Sequence, residues 1–180
     1  MKISTFPLLA LFPMVFSSHA LGDHPVPATE LQAIEKQYKE AEKANSVRIA
    51  AQPKAIDAYS RRGDARLFLG DFKGSAEDYE KMIELKPALD VSHWRLGIAY
   101  YYLSRFDKAA HQFEIYHNYD NVDRENGIWR FMSQTRLKNM QVARKGLLKY
   151  EKTDRPPYPW VYSLYAGDIK PDEVYRKIDE

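Results

Sequence analysis

The sequence predicts an all-α protein, an α-solenoid of about three helix hairpins with capping helices at the N- and C-terminal ends. Three observations predict it. Apolar and small residues of 56–87 recur at 90–121 with one unchanged offset. Within each copy the apolar residues follow a helical stripe, Leu96, Ala99, Tyr100 and Leu103 at i, i+3, i+4, i+7 and Ala109, Phe113 and Tyr116 at i, i+4, i+7. The break between the two stripes of a copy is short, Gly70-Asp71 and then Ser104-Arg105, which makes each copy an antiparallel hairpin.

The offset is 34 at every matched pair: Gly63 with Gly97, Phe72 with Phe106, Ser75 with Ala109, Tyr79 with Phe113, Met82 with Tyr116 and Leu85 with Tyr119. Applied once more it reaches Phe131, Met140, Ala143, Leu147 and Tyr150, a looser third copy that keeps the apolar positions and loses the glycine. Small residues at Gly63 or Gly97 and at Ser75 or Ala109 let paired helices approach, Phe72 or Phe106 plugs the turn, and Pro87 ends the second helix of the first copy.

With Gly63, Gly70, Phe72, Tyr79 and Pro87, then Leu96-Gly97, Tyr100, Phe106, Ala109 and Phe113, residues 56–150 resemble tetratricopeptide (TPR) repeats. Departures from that pattern are Arg62 and Arg66 where the family prefers Leu and Tyr, Gly127 and Phe131 in place of a large-then-small pair, and Asn121 where proline is common.

The flanks read as caps. Thr29-Glu30-Leu31-Gln32 has the capping-box pattern, and Leu31, Ile34, Tyr38 and Ala41 form the apolar stripe of a helix over the N-terminal end of the array. At the other end Arg155-Pro156-Pro157-Tyr158-Pro159 reads as an extended connector. A short helix with Trp160, Tyr162, Leu164 and Tyr165 follows and ends near Gly167, and another begins at Pro171 with Val174, Tyr175 and Ile178. Ahead of the fold, Met1-Lys2, an apolar run from Ile3 to Phe16 and Ser18-His19-Ala20 read as a secretory signal cleaved after Ala20, the run being too short for a standard spanning helix. The expected organisation is a signal peptide at 1–20, an N-terminal capping helix and linker at 21–55, the array at 56–150 and a C-terminal capping segment at 151–180. The expected location is periplasmic or secreted.

Composition narrows function by exclusion. The 180 residues carry 27 Lys+Arg against 25 Asp+Glu with the signs mixed, which disfavours polyanion binding, so no nucleic-acid partner is expected. Zero cysteines exclude disulfides, cysteine-ligated metals, a thiol nucleophile and a lipid anchor on cysteine. No serine-hydrolase, zinc-protease or dinucleotide motif is present, so no catalytic residue, metal or cofactor is expected and the chain reads as non-enzymatic. His111, Glu114 and His117 lie at i, i+3 and i+6, which turns the imidazoles about 120° apart on a helix, a poor metal set. Arg62-Gly63-Asp64 matches an integrin-binding tripeptide but falls inside a helix, and the Lys/Glu runs read as solvated faces.

The resemblance implies a concave groove lined by the first helix of each hairpin. Its positions fall on Asp57, Ser60, Asp64, Leu67 and Phe68, then Val91, Trp94, Ile98, Tyr101 and Tyr102, then Glu125, Ile128, Met132, Thr135 and Arg136. Of these Ser60, Asp64, Phe68, Trp94, Ile98, Tyr101, Tyr102, Ile128, Met132 and Arg136 are the candidate partner-binding residues. A chaperone-tail clamp is disfavoured, because Ser60, Asp64, Glu125 and Trp129 stand where it would want Lys, Asn, Lys and Arg. Large rings with little core to enter mark a binding surface, unless the segment around Trp160 or the N-terminal helix covers them. The expectation is an exported scaffold for a protein or peptide ligand, with no membrane contact after signal cleavage, similar to bacterial periplasmic TPR adaptors. The alternative is a peptidoglycan-binding module in which Trp94, Tyr101 and Tyr102 stack on sugars.

Overall fold

The computed structural model describes residues 26–152 and 155–179; the apolar N-terminal run and the expected cleavage point after Ala20 lie outside them. The chain divides into two units, Met1–Ile34 and Glu35–Glu180, and the packing described below belongs to the second. The elements are α1 (Ala28–Ala51), α2 (Ile56–Phe68), α3 (Phe72–Leu85), a 3₁₀ turn (Pro87–Ser92), α4 (Trp94–Tyr102), α5 (Phe106–Tyr119), α6 (Arg124–Leu137), α7 (Met140–Lys145), α8 (Tyr158–Ala166) and α9 (Pro171–Asp179). No strand occurs among the described residues. The fold is an all-α solenoid of TPR type, with α2/α3, α4/α5 and α6/α7 as consecutive hairpins.

What closes each hairpin is a glycine facing a ring. A Cβ on Gly63 would lie 2.6 Å from the Tyr79 ring, and one on Gly97 would lie 2.7 Å from the Phe113 ring. The two contacts are 34 residues apart at both partners, so the repeat seen in the sequence is a repeat of one steric fit. Tyr79 and Phe113 are fully buried, and around them Tyr59, Ala76, Met82, Leu96, Ala99, Tyr100 and Ala109 make one continuous core across the first two hairpins. The turns repeat as well: Gly70 and Ser104, again 34 apart, both take positive φ, 81° and 59°. Glycine adopts that region freely, whereas a serine there costs about 1 kcal/mol. Asp71 then caps α3 by accepting the Gly74 N–H at 2.9 Å.

Several details depart from the sequence expectation. The second copy does not open on a full first helix, because Pro87 starts a 3₁₀ turn and α4 begins only at Trp94, leaving Val91 outside it. In the third copy α7 stops after six residues, against 14 in both α3 and α5, and Leu147 and Tyr150 follow it outside any helix. Met140, the counterpart of Phe106, is exposed. Tyr150 instead turns back so that its hydroxyl and the Tyr162 ring both come within 2.7 Å of a Cβ placed on Gly127, while the Gly146 carbonyl accepts from Arg130. Side chains of the tail thus fill the place of the missing helical turns.

Both caps are also built differently. Thr29 lies inside α1, and the carbonyl of Pro27 accepts the N–H groups of Glu30 and Leu31, so no capping box forms. The expected apolar stripe is not a buried seam: α1 buries no residue, and Leu31 and Ile34 are exposed. From Tyr38 onward α1 meets α2 through a ring stack of Tyr38 on Phe68 at 4.8 Å and through polar pairs, Glu42 with Arg66 at 3.0 Å, Ser46 with Arg62 at 3.3 Å and Arg48 with Asp57. Ile49 adds an apolar contact to the core. Arg62 and Arg66 therefore explain their departure from the repeat pattern. Both hold Asp78 of α3, which is 3% exposed at its side chain, at 2.6 and 3.0 Å. At the far end Arg155–Pro157 forms a turn with a cis Pro156-Pro157 bond instead of an extended connector, and α8 starts at Tyr158. Gly167, left-handed at φ 91°, ends α8 as expected, and α9 runs from Pro171. Tyr162 donates to the Leu148 carbonyl at 2.7 Å and Tyr165 packs on Phe131 at 5.0 Å, so the C-terminal segment covers the third hairpin.

Three outcomes follow from this packing. Gly97→Leu drives a side chain into the Phe113 ring and lowers stability by about 1–3 kcal/mol or more, read from the denaturant midpoint; Phe113→Ala in the same chain restores part of the loss if the fit is the one described. Asp78→Ala leaves two partly buried guanidiniums without their shared carboxylate and costs about 3–5 kcal/mol. His93 packs against the Tyr79 ring at 4.4 Å, and burial holds its pKa below the ordinary 6.5. The unfolded chain then binds the proton more readily than the folded one, so stability falls as pH drops from about 6.5 toward the lowered folded value. His93→Gln makes that fall shallower in thermal melts recorded between neutral and mildly acidic pH.

Candidate functional site

The candidate face belongs to the first helices α2, α4 and α6. A helix presents i, i+4, i+7 and i+11 on one side, which places Asp57, Arg61, Asp64 and Phe68 together on α2 and Arg95, Ile98 and Tyr102 together on α4. Trp129, Met132 and Arg136 continue the same register on α6. Adjacent helices meet across this face through side chains. Arg95 of α4 approaches Asp64 of α2 at 3.5 Å and lies over its neighbour Trp94 at 4.4 Å from the ring centre. Asp64 also accepts the Tyr79 hydroxyl at 2.6 Å, so its charge is used within the protein. Burial, and then this bond to Asp64, raise the Tyr79 pKa far above that of a free tyrosine.

The rings are arranged as follows. Trp94, Ile98 and Tyr101 are half-buried and pack against the core, whereas Phe68 and Tyr102 are exposed, Tyr102 by 53%. Tyr102 stacks on Phe72 at 4.4 Å, and Tyr101 sits edge-on to Tyr102, Phe106 and Trp129 at 5.8, 5.5 and 5.4 Å. Ser60 and Met132 are half-buried, Arg136 is exposed and lies 4.7 Å over the Phe106 ring, and Ile128 is buried. The ten candidate residues therefore do not form one open strip. Phe68, Tyr102 and Arg136 lie outermost, Trp94, Ile98, Tyr101 and Met132 lie at intermediate depth, and Ile128 belongs to the interior.

Two participants were not among the candidate binding residues. Trp129, named in the sequence only as a departure from a chaperone-tail clamp, closes the ring cluster between α4 and α6, 34 residues after Arg95 and 68 after Arg61. Arg95 was hidden because its role comes from Asp64, on the preceding hairpin. Elsewhere, His111 is exposed, Glu114 pairs with Arg130 at 3.2 Å and His117 rests against the Tyr150 ring at 4.8 Å, which disperses the three residues considered for a metal. No group of metal-binding side chains occurs among the described residues. Arg62-Gly63-Asp64 is occupied internally, by Asp78, the Tyr79 ring and the Tyr79 hydroxyl. No helix among the described residues is long and apolar enough to cross a membrane.

No family model matches the chain. Among curated proteins it is similar to the "Lipoprotein NlpI homolog" of Haemophilus influenzae, with 25% identity over 135 residues. The aligned part is 73% of this chain and 42% of that protein, so the chain spans about two fifths of its relative's length.

Proposed function

We propose that the chain is an exported, non-enzymatic TPR adaptor that holds a protein or peptide segment on the first-helix face. The observation that carries this reading is the graded ring surface from Phe68 through Tyr102 to Arg136, outermost residues backed by half-buried Trp94, Ile98, Tyr101 and Met132. Apolar depth with a polar edge suits side chains of a peptide docked in a groove. The carboxylates on this face are held by the protein's own groups: Asp57 by Arg48, Asp64 by Tyr79 and Arg95, Glu125 by Tyr158 at 2.9 Å. Such engagement supports a binding role over acid–base chemistry. Export is supported by the apolar N-terminal run and by a relative named as a lipoprotein, although a cysteine-borne anchor has no acceptor within these 180 residues.

The ring geometry favours a peptide over the glycan alternative. A glycan chain needs several open rings in a row, whereas Arg95 lies over the Trp94 ring and Tyr101 is edge-on to three neighbours, which leaves Tyr102 as the one exposed ring of the three.

Capture from envelope extract on immobilised protein, run beside binding to purified peptidoglycan, separates the readings. Tyr102→Ala removes an exposed ring at little cost in stability, while Trp94→Ala, at a half-buried ring, also opens packing and costs part of the about 3–5 kcal/mol lost on truncating a fully buried one. The expected result is a protein partner whose capture falls on the order of tenfold in Tyr102→Ala. Retention on peptidoglycan with no protein captured would overturn the adaptor reading.

A further inference from the structure

The near balance of charge over the whole chain conceals one strongly basic stretch. Between Glu125 and Glu151 there is no Asp or Glu, while Arg130, Arg136, Lys138, Arg144, Lys145 and Lys149 all fall there. Arg130 is turned inward to Glu114 and the Gly146 carbonyl. Arg136, Lys138, Arg144 and Lys145 are exposed, and none of them has a carboxylate partner among the described residues. Arg144 donates to the Tyr165 carbonyl at 3.2 Å and Arg136 covers Phe106, so both are held in place without being neutralised.

The same corner exposes apolar side chains. Leu137 at the end of α6 and Met140 at the start of α7 are 43% and 49% exposed, while Val142, two residues on and 44% exposed, projects from the other side of α7. The counterparts of Met140 in the first two hairpins, Phe72 and Phe106, are half-buried beneath Tyr102 and Arg136 of the hairpin that follows each. Scattered single apolar residues on a surface need no explanation. Leu137 and Met140, on either side of the α6–α7 turn and set among Lys138, Arg144 and Lys145 in a stretch of sequence with no acid, combine the two features by which a folded domain settles on an anionic bilayer. Alkyl groups enter the boundary of the acyl region, and long basic side chains reach back to the headgroup phosphates.

We propose that the α6–α7 corner is a peripheral docking site for an anionic lipid bilayer, with Leu137 and Met140 inserting and Lys138, Arg144 and Lys145 contacting the phosphates. This departs from the sequence expectation of no membrane contact after signal cleavage. It is independent of the groove: the corner holds the chain at a membrane surface whatever the first-helix face binds.

Cosedimentation of the full chain with vesicles of phosphatidylcholine alone, or enriched in phosphatidylglycerol, tests the proposal. The apolar N-terminal run is common to every variant, and its contribution is read on the zwitterionic vesicles. The expected result is stronger binding to the anionic vesicles that fades at raised salt. Each basic residue at such a surface contributes about fivefold in partitioning, so Lys138→Glu with Lys145→Glu reduces anionic binding by more than about tenfold. Leu137→Ser with Met140→Ser reduces it as well. Lys43→Glu with Lys54→Glu, an equal charge change at exposed positions of α1 and the loop after it, leaves it nearly unchanged. Unaltered circular dichroism shows that each variant is folded. Equal binding to both vesicle types, or equal loss in the Lys43/Lys54 variant, overturns the proposal. So does retention on heparin without retention on anionic vesicles, which would assign the corner to a soluble polyanion.

Discussion

The closeness of a glycine to an aromatic ring governs how this protein is built. Gly63 against Tyr79 and Gly97 against Phe113 fix the distance between paired helices to within the width of a methyl group. Once that distance is set, Ala76, Ala99 and Ala109 find themselves buried, and Tyr59, Leu96 and Tyr100 fill the space between hairpins. The first helices then fall into parallel register, which places Asp64 within reach of Arg95 and Tyr101 beside Trp129. The candidate binding face is thus a product of backbone spacing, and its rings gain their positions from residues on the opposite side of the hairpin.

The N-terminal end follows another logic. Where a stacked repeat would offer an apolar face to its neighbour, α2 offers Arg62 and Arg66, both turned inward to Asp78 and outward to Ser46 and Glu42. A buried carboxylate shared by two guanidiniums gains little over an apolar contact of the same size, but it tolerates few alternative arrangements. The cap is therefore positioned by direction-dependent bonds more than by area. That fits a helix whose own sequence buries no residue.

Much of the architecture was legible because the repeat is written in residues whose size matters. Gly63, Gly97, Phe72, Phe106 and Pro87 kept their meaning from pattern to structure, and the turn residues Gly70 and Ser104 did as well. What stayed hidden depended on contacts between distant segments. The truncation of α7 cannot be seen in its apolar spacing, because Ala143, Leu147 and Tyr150 keep the helical register while Tyr150 is drawn away to Gly127 and Tyr162. The apolar stripe expected on α1 misled for a similar reason, since amphipathic spacing states that a face exists and says nothing of what covers it. On the candidate face, depth was the unreadable quantity: Ile128 and Tyr102 carry equal hydrophobic promise in the sequence, yet one is interior and the other open.

Tandem-repeat proteins lengthen readily, because each unit presents the next with a copy of the surface it was laid upon. Here that invitation is withdrawn after the third unit. Tyr162 and Tyr165 of α8, which follow the repeats in the chain, are seated on Gly127 and Phe131 of the third hairpin. A further unit laid on this end would first have to displace them.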